Sequence, residues 1–191
     1  MFKKISAFLL AAIMTVSLAA CGTSNAGPEN TQQPSEPPAI ENSNTEAEKP
    51  DTEGAVADWK KYEIRKADND YCMVWLRYRE NSDCVAEVTF QMKVPKDFSD
   101  YDGVLSDNQA LESKISSQNI STSLIEFADA ELADGLETSI KFNGLDEGNS
   151  NIVALVEEYV DLPAQNGYLR LSECEQFLLD NGFELTDPRA Y

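Results

Sequence analysis

The stretch CVAEVTFQMKV, residues 84–94, has the most regular pattern in the chain. Apolar residues occupy every even-numbered position, and Glu87, Thr89, Gln91 and Lys93 alternate with them. A period of two is typical of a β-strand with one buried face. We therefore predict a strand over Cys84–Val94, ended by the proline that follows, and derive the rest of the fold outward from it.

Two further strands are predicted upstream of this one. They cover Trp59–Lys66 and Tyr71–Arg79, and polar turn clusters follow them at residues 67–70 and 80–83. Such short connections favour a meander, in which each strand pairs with the next one along the chain.

The register between the second and third strands follows from the positions of their apolar residues. In both strands the apolar face falls on even numbers, so the numbers of directly opposed residues must add up to an even number. A five-residue loop satisfies this condition and places Tyr78 opposite Cys84 and Cys72 opposite Phe90. Cys72 and Cys84 would then be about 20 Å apart, at roughly 3.3 Å per residue. This distance predicts that they form no disulfide.

The chain after residue 95 combines helices with strands. Ser106 and Gln109 make a capping box ahead of apolar residues at helical spacing, which predicts a helix over Asp107–Ser117. Residues 152–160 fit an amphipathic helix, and their valine content leaves a strand open as the alternative. Two more strands are predicted, over Thr122–Phe127 and residues 136–142.

The C-terminal part predicts a short strand over Gly167–Leu171 and then a final helix. Ser172 and Glu175 would form a second capping box, Gly182 would end the helix, and Phe183–Thr186 would add an edge strand. Strands that come first and helices that come later indicate an α+β fold. We expect an antiparallel β-meander sheet with two or three helices packed on it.

The segment VTFQMKVPKDF, residues 88–98, suggests an alternative architecture. It resembles the strand and the Pro-aromatic turn of PsbP/Mog1-like export domains, over about eleven residues. The resemblance implies a sheet with helices on both faces, that is, an α/β/α sandwich.

Residues 1–20 have the three parts of an export signal. Lys3 and Lys4 give a positively charged start, an apolar core follows from Ile5 to Leu18, and two small residues come before Cys21. The apolar core is shorter than the roughly 20 residues that a transmembrane helix needs. The pattern therefore predicts a signal peptide.

The sequence Leu18-Ala19-Ala20-Cys21 resembles the lipobox of bacterial lipoproteins. The resemblance implies that the Cys21 thiol receives a diacylglycerol and that cleavage makes this residue the mature N-terminus. Two acyl chains hold a protein on a membrane stably, whereas one chain holds it only marginally. The expected location is the outer face of the cell membrane, or the outer membrane if the source is Gram-negative.

Residues 21–55 are predicted to form the lipidated cysteine and a disordered, acidic, Pro-rich linker. Five of the eight prolines fall within them, no aromatic residue does, and Ile40 is the one large apolar side chain. Such a segment cannot bury enough apolar surface to offset the entropy of ordering. Residues 56–191 are then predicted to form a single α+β domain.

The charge of the chain excludes some classes of partner. Residues 21–191 carry 13 basic and 34 acidic side chains, and nucleic acids or anionic headgroups need the opposite balance. The chain contains no histidine, which excludes Ser-His-Asp and Cys-His catalysis and zinc sites that use histidine. We predict no nucleic-acid partner and no cofactor.

The second predicted strand has apolar residues on both faces. Its odd-numbered positions hold an aromatic and basic set, opposite the face that carries Cys72 and Leu76. A sheet covered by helices on both faces would account for this set, and so would an exposed binding surface. We take the set as the candidate binding face: Tyr71, Met73, Trp75, Arg77 and Arg79.

Other groups are weaker candidates for a site. Residues 100–103, Asp-Tyr-Asp-Gly, match part of a calcium-binding loop, but its first and twelfth positions would be Phe98 and Gln109 instead of acids. The acidic residues between 126 and 137 are interpreted as a solvated surface. All three remaining cysteines fall on apolar faces and are interpreted as buried hydrophobic residues: Cys72, Cys84 and Cys174.

Three functional hypotheses are consistent with these patterns. The first is a lipid-anchored envelope protein whose small domain binds a ligand or protein without catalysis. The second is an envelope enzyme that uses a pair of carboxylates, and the third is an assembly factor that acts through a protein partner. A carboxyl group with a strongly shifted pKa inside a cleft would favour the enzyme.

Overall fold

The computed structural model describes residues 54–187. This part of the chain forms a six-stranded antiparallel sheet with three α-helices packed on it, and the sheet is not closed. The predicted α+β fold is therefore confirmed. The predicted signal peptide (residues 1–20), Cys21 and nearly all of the predicted linker lie outside the described residues.

After the third strand, helices and strands are interspersed along the chain. The strands are β1 (Lys60–Ala67), β2 (Asp70–Tyr78), β3 (Val85–Pro95), β4 (Ile125–Glu131), β5 (Gly135–Phe142) and β6 (Glu184–Thr186). The helices are α1 (Tyr101–Ser117), a 3₁₀ helix (Leu145–Glu147), α2 (Ser150–Tyr159) and α3 (Leu171–Asp180). The helical alternative for residues 152–160 is thus confirmed.

The sheet has the strand order β4-β5-β3-β2-β1-β6, with the strand predicted from residues 84–94 near its centre. Even-numbered residues of β2 and β3 oppose each other, as expected, but the register differs by two residues. Cys72 pairs with Met92 instead of Phe90. Tyr78 pairs with Val85 instead of Cys84, which accounts for one of the two residues. A bulge between Arg77 and Tyr78 adds the second.

The even-numbered strand face forms one side of the core, and all three helices contribute to the other. Because the three helices share a single buried cluster, the described residues do not form the α/β/α sandwich considered above. The strand members include Tyr62, Cys72, Val74, Leu76, Val88, Phe90, Met92, Ile140 and Phe142. The helical members include Val104, Leu111, Ile152, Leu155, Val156, Cys174 and Leu178.

Helix α1 begins six residues before the predicted start. Its N-cap is Asp100, so the predicted capping box of Ser106 and Gln109 is wrong and lies inside the helix. The longer helix buries Val104, and it also buries Asn108, whose Nδ2 donates to Thr138 Oγ1 at 2.5 Å. Burial against the sheet therefore decides where this helix starts, and the local capping signal does not. The predicted strand over Thr122–Phe127 is shifted toward the C-terminus, as β4.

Helix α3 is capped by a residue from a distant turn. Asp83 accepts hydrogen bonds from the Ser172 backbone N–H and from the Ser172 hydroxyl, both at 2.7 Å. The N-cap position belongs to Arg170, so the predicted capping box of Ser172 and Glu175 is wrong. The strand predicted over Gly167–Leu171 is also wrong, because this segment forms only single bridges, one of them between Arg170 and Cys84.

The end of the described chain returns to the sheet. Helix α3 ends before Gly182, whose φ of +80° suits glycine, and Phe183 N–H bonds back to the Leu178 carbonyl at 3.0 Å. Strand β6 then pairs with residues 61–63 of β1 and forms an edge of the sheet, as predicted. No helix in the described range has both the length and the apolar run that a membrane span requires.

The cysteines of the described range are all buried. Cys72, Cys84 and Cys174 have no exposed surface, and no disulfide joins them. Burial raises the pKa of the Cys84 thiol to about 11, with Asp146 adding to the effect. Burial likewise raises the pKa of Cys174, and Glu173 adds to it. The prediction that these residues are small buried hydrophobes is confirmed.

Candidate functional site

The structure keeps four of the five residues of the candidate binding face together. Tyr71, Met73, Trp75 and Arg77 alternate along β2 on the side opposite the core cluster, to which none of them belongs. Arg79 lies beyond the end of β2. Its Nε donates to Asp146 Oδ2 of the 3₁₀ helix at 2.5 Å. Tyr71 and Met73 are buried, at 8% and 7% exposure, whereas Trp75 and Arg77 are half-buried. The accessible part of the candidate face is therefore at Trp75 and Arg77, and the face does not extend to Arg79.

Cationic side chains lie against the aromatic rings of this face. The Arg65 guanidinium is 4.6 Å from the centre of the Tyr71 ring, and Lys61 Nζ is 5.6 Å from that of Trp75. Arg77 lies 5.7 Å from the ring of Trp59, which comes just before β1. These distances fall within the range of cation–π attraction. Each aromatic ring therefore has a charged neighbour.

The two tryptophans line a depression on this side of the sheet. Trp59 and Trp75 are half-buried and share it with Thr89 and Gln91 of β3. The lining combines apolar ring surface with a hydroxyl and a carboxamide. Sites for small molecules commonly combine these groups, with apolar area for affinity and a few polar atoms for orientation.

The basic residues of the face are matched by carboxylates across the sheet. Arg77 pairs with Glu87 at 3.0 Å, Lys141 with Glu87 at 3.7 Å, and Lys141 with Glu126 at 3.8 Å. These pairs join β2, β3, β5 and β4 in turn. The face is therefore of mixed charge instead of basic, and a strongly anionic ligand would meet carboxylates beside every cation.

The burial of Lys61 and Glu63 is not predicted by any sequence pattern. Lys61 is 1% exposed and Glu63 7%, and Lys61 Nζ donates to Glu63 Oε2 at 2.8 Å. Arg65 pairs with the same carboxylate. Both residues stand at alternate positions that the β1 pattern assigns to the polar face. The pair lies within β1, but its burial depends on other parts of the chain, which the periodicity of one strand does not report.

Two groups on or near this face have raised pKa values. Burial raises the pKa of Tyr71, with Glu137 adding to the effect. Desolvation raises the pKa of Asp70, whose Oδ1 is buried and has no hydrogen-bond partner among the described residues. Asp70 opens β2 at its turn and does not line the tryptophan depression.

The acidic residues between 126 and 137 lie on β4, on β5 and in the turn between them. Lys93 holds the Asp134 carboxylate at 3.0 Å and lowers its pKa, and Gln91 donates to Glu137 at 3.1 Å. Asp100 and its neighbours begin α1 instead of forming a calcium loop. Within residues 54–187 no cluster of three or more Cys, Asp or Glu is arranged to hold a metal ion.

A larger cleft lies on the helical side of the domain. It has a volume of about 870 Å³ and is formed by the end of α1, the segment after it and the first part of α2. Sequence reasoning missed it, because the residues that form it lie on two segments whose proximity no local pattern indicates. Its lining contains five apolar residues, Ile120, Leu124, Ile152, Ala154 and Leu155, and four carboxamides, Gln118, Asn119, Asn149 and Asn151.

Comparisons with known proteins give no family. No protein-family model matches the chain, and no curated protein matches it. The NMR structure of a protein from Streptococcus pneumoniae TIGR4 is 20% identical, with a TM-score of 0.43, and the match covers 86% of this chain and 100% of that one.

A second solved structure is similar to a comparable degree. The NMR structure of the E. coli YehR protein is 11% identical, with a TM-score of 0.47, and the match covers 70% of this chain and 94% of that one. At these identities and TM-scores neither likeness carries an inference about function.

Proposed function

We propose that this protein is an exported lipoprotein whose domain binds a ligand or a protein partner in the cell envelope without catalysing a reaction. The attachment rests on Leu18-Ala19-Ala20-Cys21 and the export signal before it. A diacylglycerol on Cys21 would supply the two acyl chains that stable anchoring requires. The negative charge of the chain fits partners that are neutral or basic.

The binding role rests on one observation, the position of Trp59 and Trp75. Both are half-buried and line a depression on the sheet face opposite the core cluster. Tryptophan is enriched among the residues that carry most of the energy of an interface. Asp70, a carboxyl group with a raised pKa, lies outside this depression, which favours binding over acid–base catalysis.

The attachment is tested by replacing the lipidated residue. Cys21→Ser should move the protein from the membrane fraction to the soluble fraction, because the thiol that carries the lipid is gone. The matched control is Cys174→Ser, which replaces a buried cysteine of the domain. The folded fraction of this variant should remain associated with the membrane. Membrane association of Cys21→Ser equal to that of the wild type would contradict the attachment.

The binding role is tested by crosslinking in intact cells followed by purification of the protein. Trp75→Ala should reduce the yield of crosslinked partner, because truncation of a central interface tryptophan costs about 2 kcal/mol or more, roughly 30-fold in Kd. Leu179→Ala is the control, since Leu179 is an exposed apolar residue of α3. Equal yields from both variants would contradict a role for this face.

A further inference from the structure

The cleft between α1 and α2 has the size of a ligand site. Its volume of about 870 Å³ lies within the roughly 300–1,000 Å³ typical of small-molecule pockets. The apolar floor is formed mainly by half-buried Ile120 and Leu124 and by exposed Ala154, because Ile152 and Leu155 are core residues only 4% and 3% exposed. The site is distinct from the tryptophan depression, with which it shares no lining residue.

The charges of the cleft point to an uncharged ligand. Among the described residues that line it, the ionisable ones are Lys114 and Glu158. Lys114 Nζ donates to Glu158 Oε2 at 2.5 Å, so each neutralises the other. The lining therefore offers a charged ligand no unpaired charge of opposite sign, and a partly exposed ion pair adds little attraction. A neutral ligand needs no such partner.

The polar lining offers donors and acceptors together. The side chains of Gln118, Asn119 and Asn151 have no hydrogen-bond partner among the described residues and are exposed at the rim. A carboxamide donates through its nitrogen and accepts through its oxygen. A sugar hydroxyl also donates and accepts, so neighbouring hydroxyls of a sugar ring can bond to one carboxamide with both of its groups.

We propose that this cleft binds a neutral saccharide, whose C–H ring face lies on the apolar floor and whose hydroxyls bond to the rim carboxamides. An extended peptide is the less favoured ligand, because a peptide backbone is usually recognised by the free edge of a strand. The cleft is lined by helices and loops instead. The proposal does not depend on the sheet face, so either can fail without the other.

The test measures binding of cellotetraose to the full chain by calorimetry and by two-dimensional amide NMR. We expect binding with chemical-shift changes confined to residues 114–121 and 148–158. The charged comparison ligands are tetragalacturonate, which is anionic, and chitosan tetramer, which is cationic; both should bind more weakly. Glucose distinguishes a single-ring site from one that takes a longer chain, and either result supports a saccharide site.

Variants of the rim give the second measurement. Gln118→Ala and Asn151→Ala should each weaken binding by about three- to tenfold, the usual loss for one hydrogen bond. Gln176→Ala is the matched control, because Gln176 is an exposed carboxamide on α3, outside the cleft. The proposal is overturned if cellotetraose does not bind at millimolar concentration. It is equally overturned if a charged tetramer or a neutral tetrapeptide binds more tightly, or if the rim variants bind like the control.

Discussion

Replacing Asp83 with alanine should destabilise the domain at a point distant in sequence from the change. Asp83 stands in the turn between β2 and β3, and its carboxylate accepts two hydrogen bonds at 2.7 Å from Ser172, the second residue of α3. One of them satisfies a backbone N–H of the first helical turn, which has no partner inside the helix. Asp83 therefore acts as an N-cap supplied from another part of the chain.

The magnitude follows from the two contributions that Asp83 makes. Loss of a capping side chain typically costs about 1 kcal/mol, within a range of roughly 0.5–2. The negative charge near a helix N-terminus adds about 0.3–1 kcal/mol at an exposed site, and these contributions overlap. We expect Asp83→Ala to lower the free energy of unfolding by about 1–2 kcal/mol, which lowers Tm by roughly 3–8 °C for a domain of this size.

Urea denaturation followed by tryptophan fluorescence and far-ultraviolet circular dichroism measures this change. Ser172→Ala is the matched control, because it removes the hydroxyl but keeps the backbone bond to Asp83. Alanine also has a better helix propensity than serine, by about 0.5 kcal/mol, so this variant should be nearly neutral. Hydrogen exchange should show faster exchange of the Ser172 amide in Asp83→Ala. The reasoning is refuted if Asp83→Ala and Ser172→Ala are equally stable.

Three further predictions concern buried groups. Thr138→Val should lower the free energy of unfolding, measured by urea denaturation, by about 1–3 kcal/mol, because it removes the hydroxyl that accepts from Asn108 in the core. Thr138→Ser keeps the hydroxyl and should lower this free energy less. A larger loss for Thr138→Ser than for Thr138→Val would contradict this role. Burial and the hydrogen bond to Glu175 raise the pKa of Tyr62. The unfolded chain therefore ionises at a lower pH than the folded one, and the free energy of unfolding should fall as pH rises above about 10. Tyr62→Phe should make this fall less steep, and an unchanged slope would contradict the prediction. Burial raises the pKa of Cys84 to about 11, so its thiol should resist maleimide at pH 8 and should react once urea unfolds the domain. Rapid labelling of Cys84 in the native protein would contradict this prediction.

The parts of the fold that were predictable are those that one strand or helix specifies by itself. Alternation over residues 84–94 and 136–142 identifies β3 and β5 almost to the residue, and the helical period identifies α2. These elements each bury one continuous face, so the apolar pattern alone records their conformation. The three buried cysteines follow from the same pattern.

The errors arose where a distant residue decides local structure. The bulge after Arg77 shifts the register, and nothing in β2 alone marks its position. The Ser106 capping box was a valid local signal, but α1 starts earlier and buries Val104 in its added turns. Asp83 caps α3 from the turn between β2 and β3, which is distant in sequence. Long-range packing overrides local preference in each case.

The candidate site was predictable to the same degree. Tyr71, Met73, Trp75 and Arg77 share one face because they alternate along one strand. The departure of Arg79 toward Asp146 depends on the 3₁₀ helix, which lies far along the chain. No sequence pattern predicts the carboxylate partners of the face or the cleft between α1 and α2. Both depend on contacts between elements.

The pairing of β1 with both β2 and β6 has a mechanical consequence. The described chain first bonds to the domain at residues 55–57, where Ala57 N–H donates to the Tyr78 carbonyl at 2.7 Å, and β1 follows directly. A pull from the proposed anchor would therefore reach the domain through these residues and then through this strand. Hydrogen bonds to β2 over residues 60–67 and to β6 over residues 61–63 hold it on both sides. A force along the strand loads these bonds together, in shear. A force across the sheet would break them one after another, so the domain should resist drag better in the first direction than in the second.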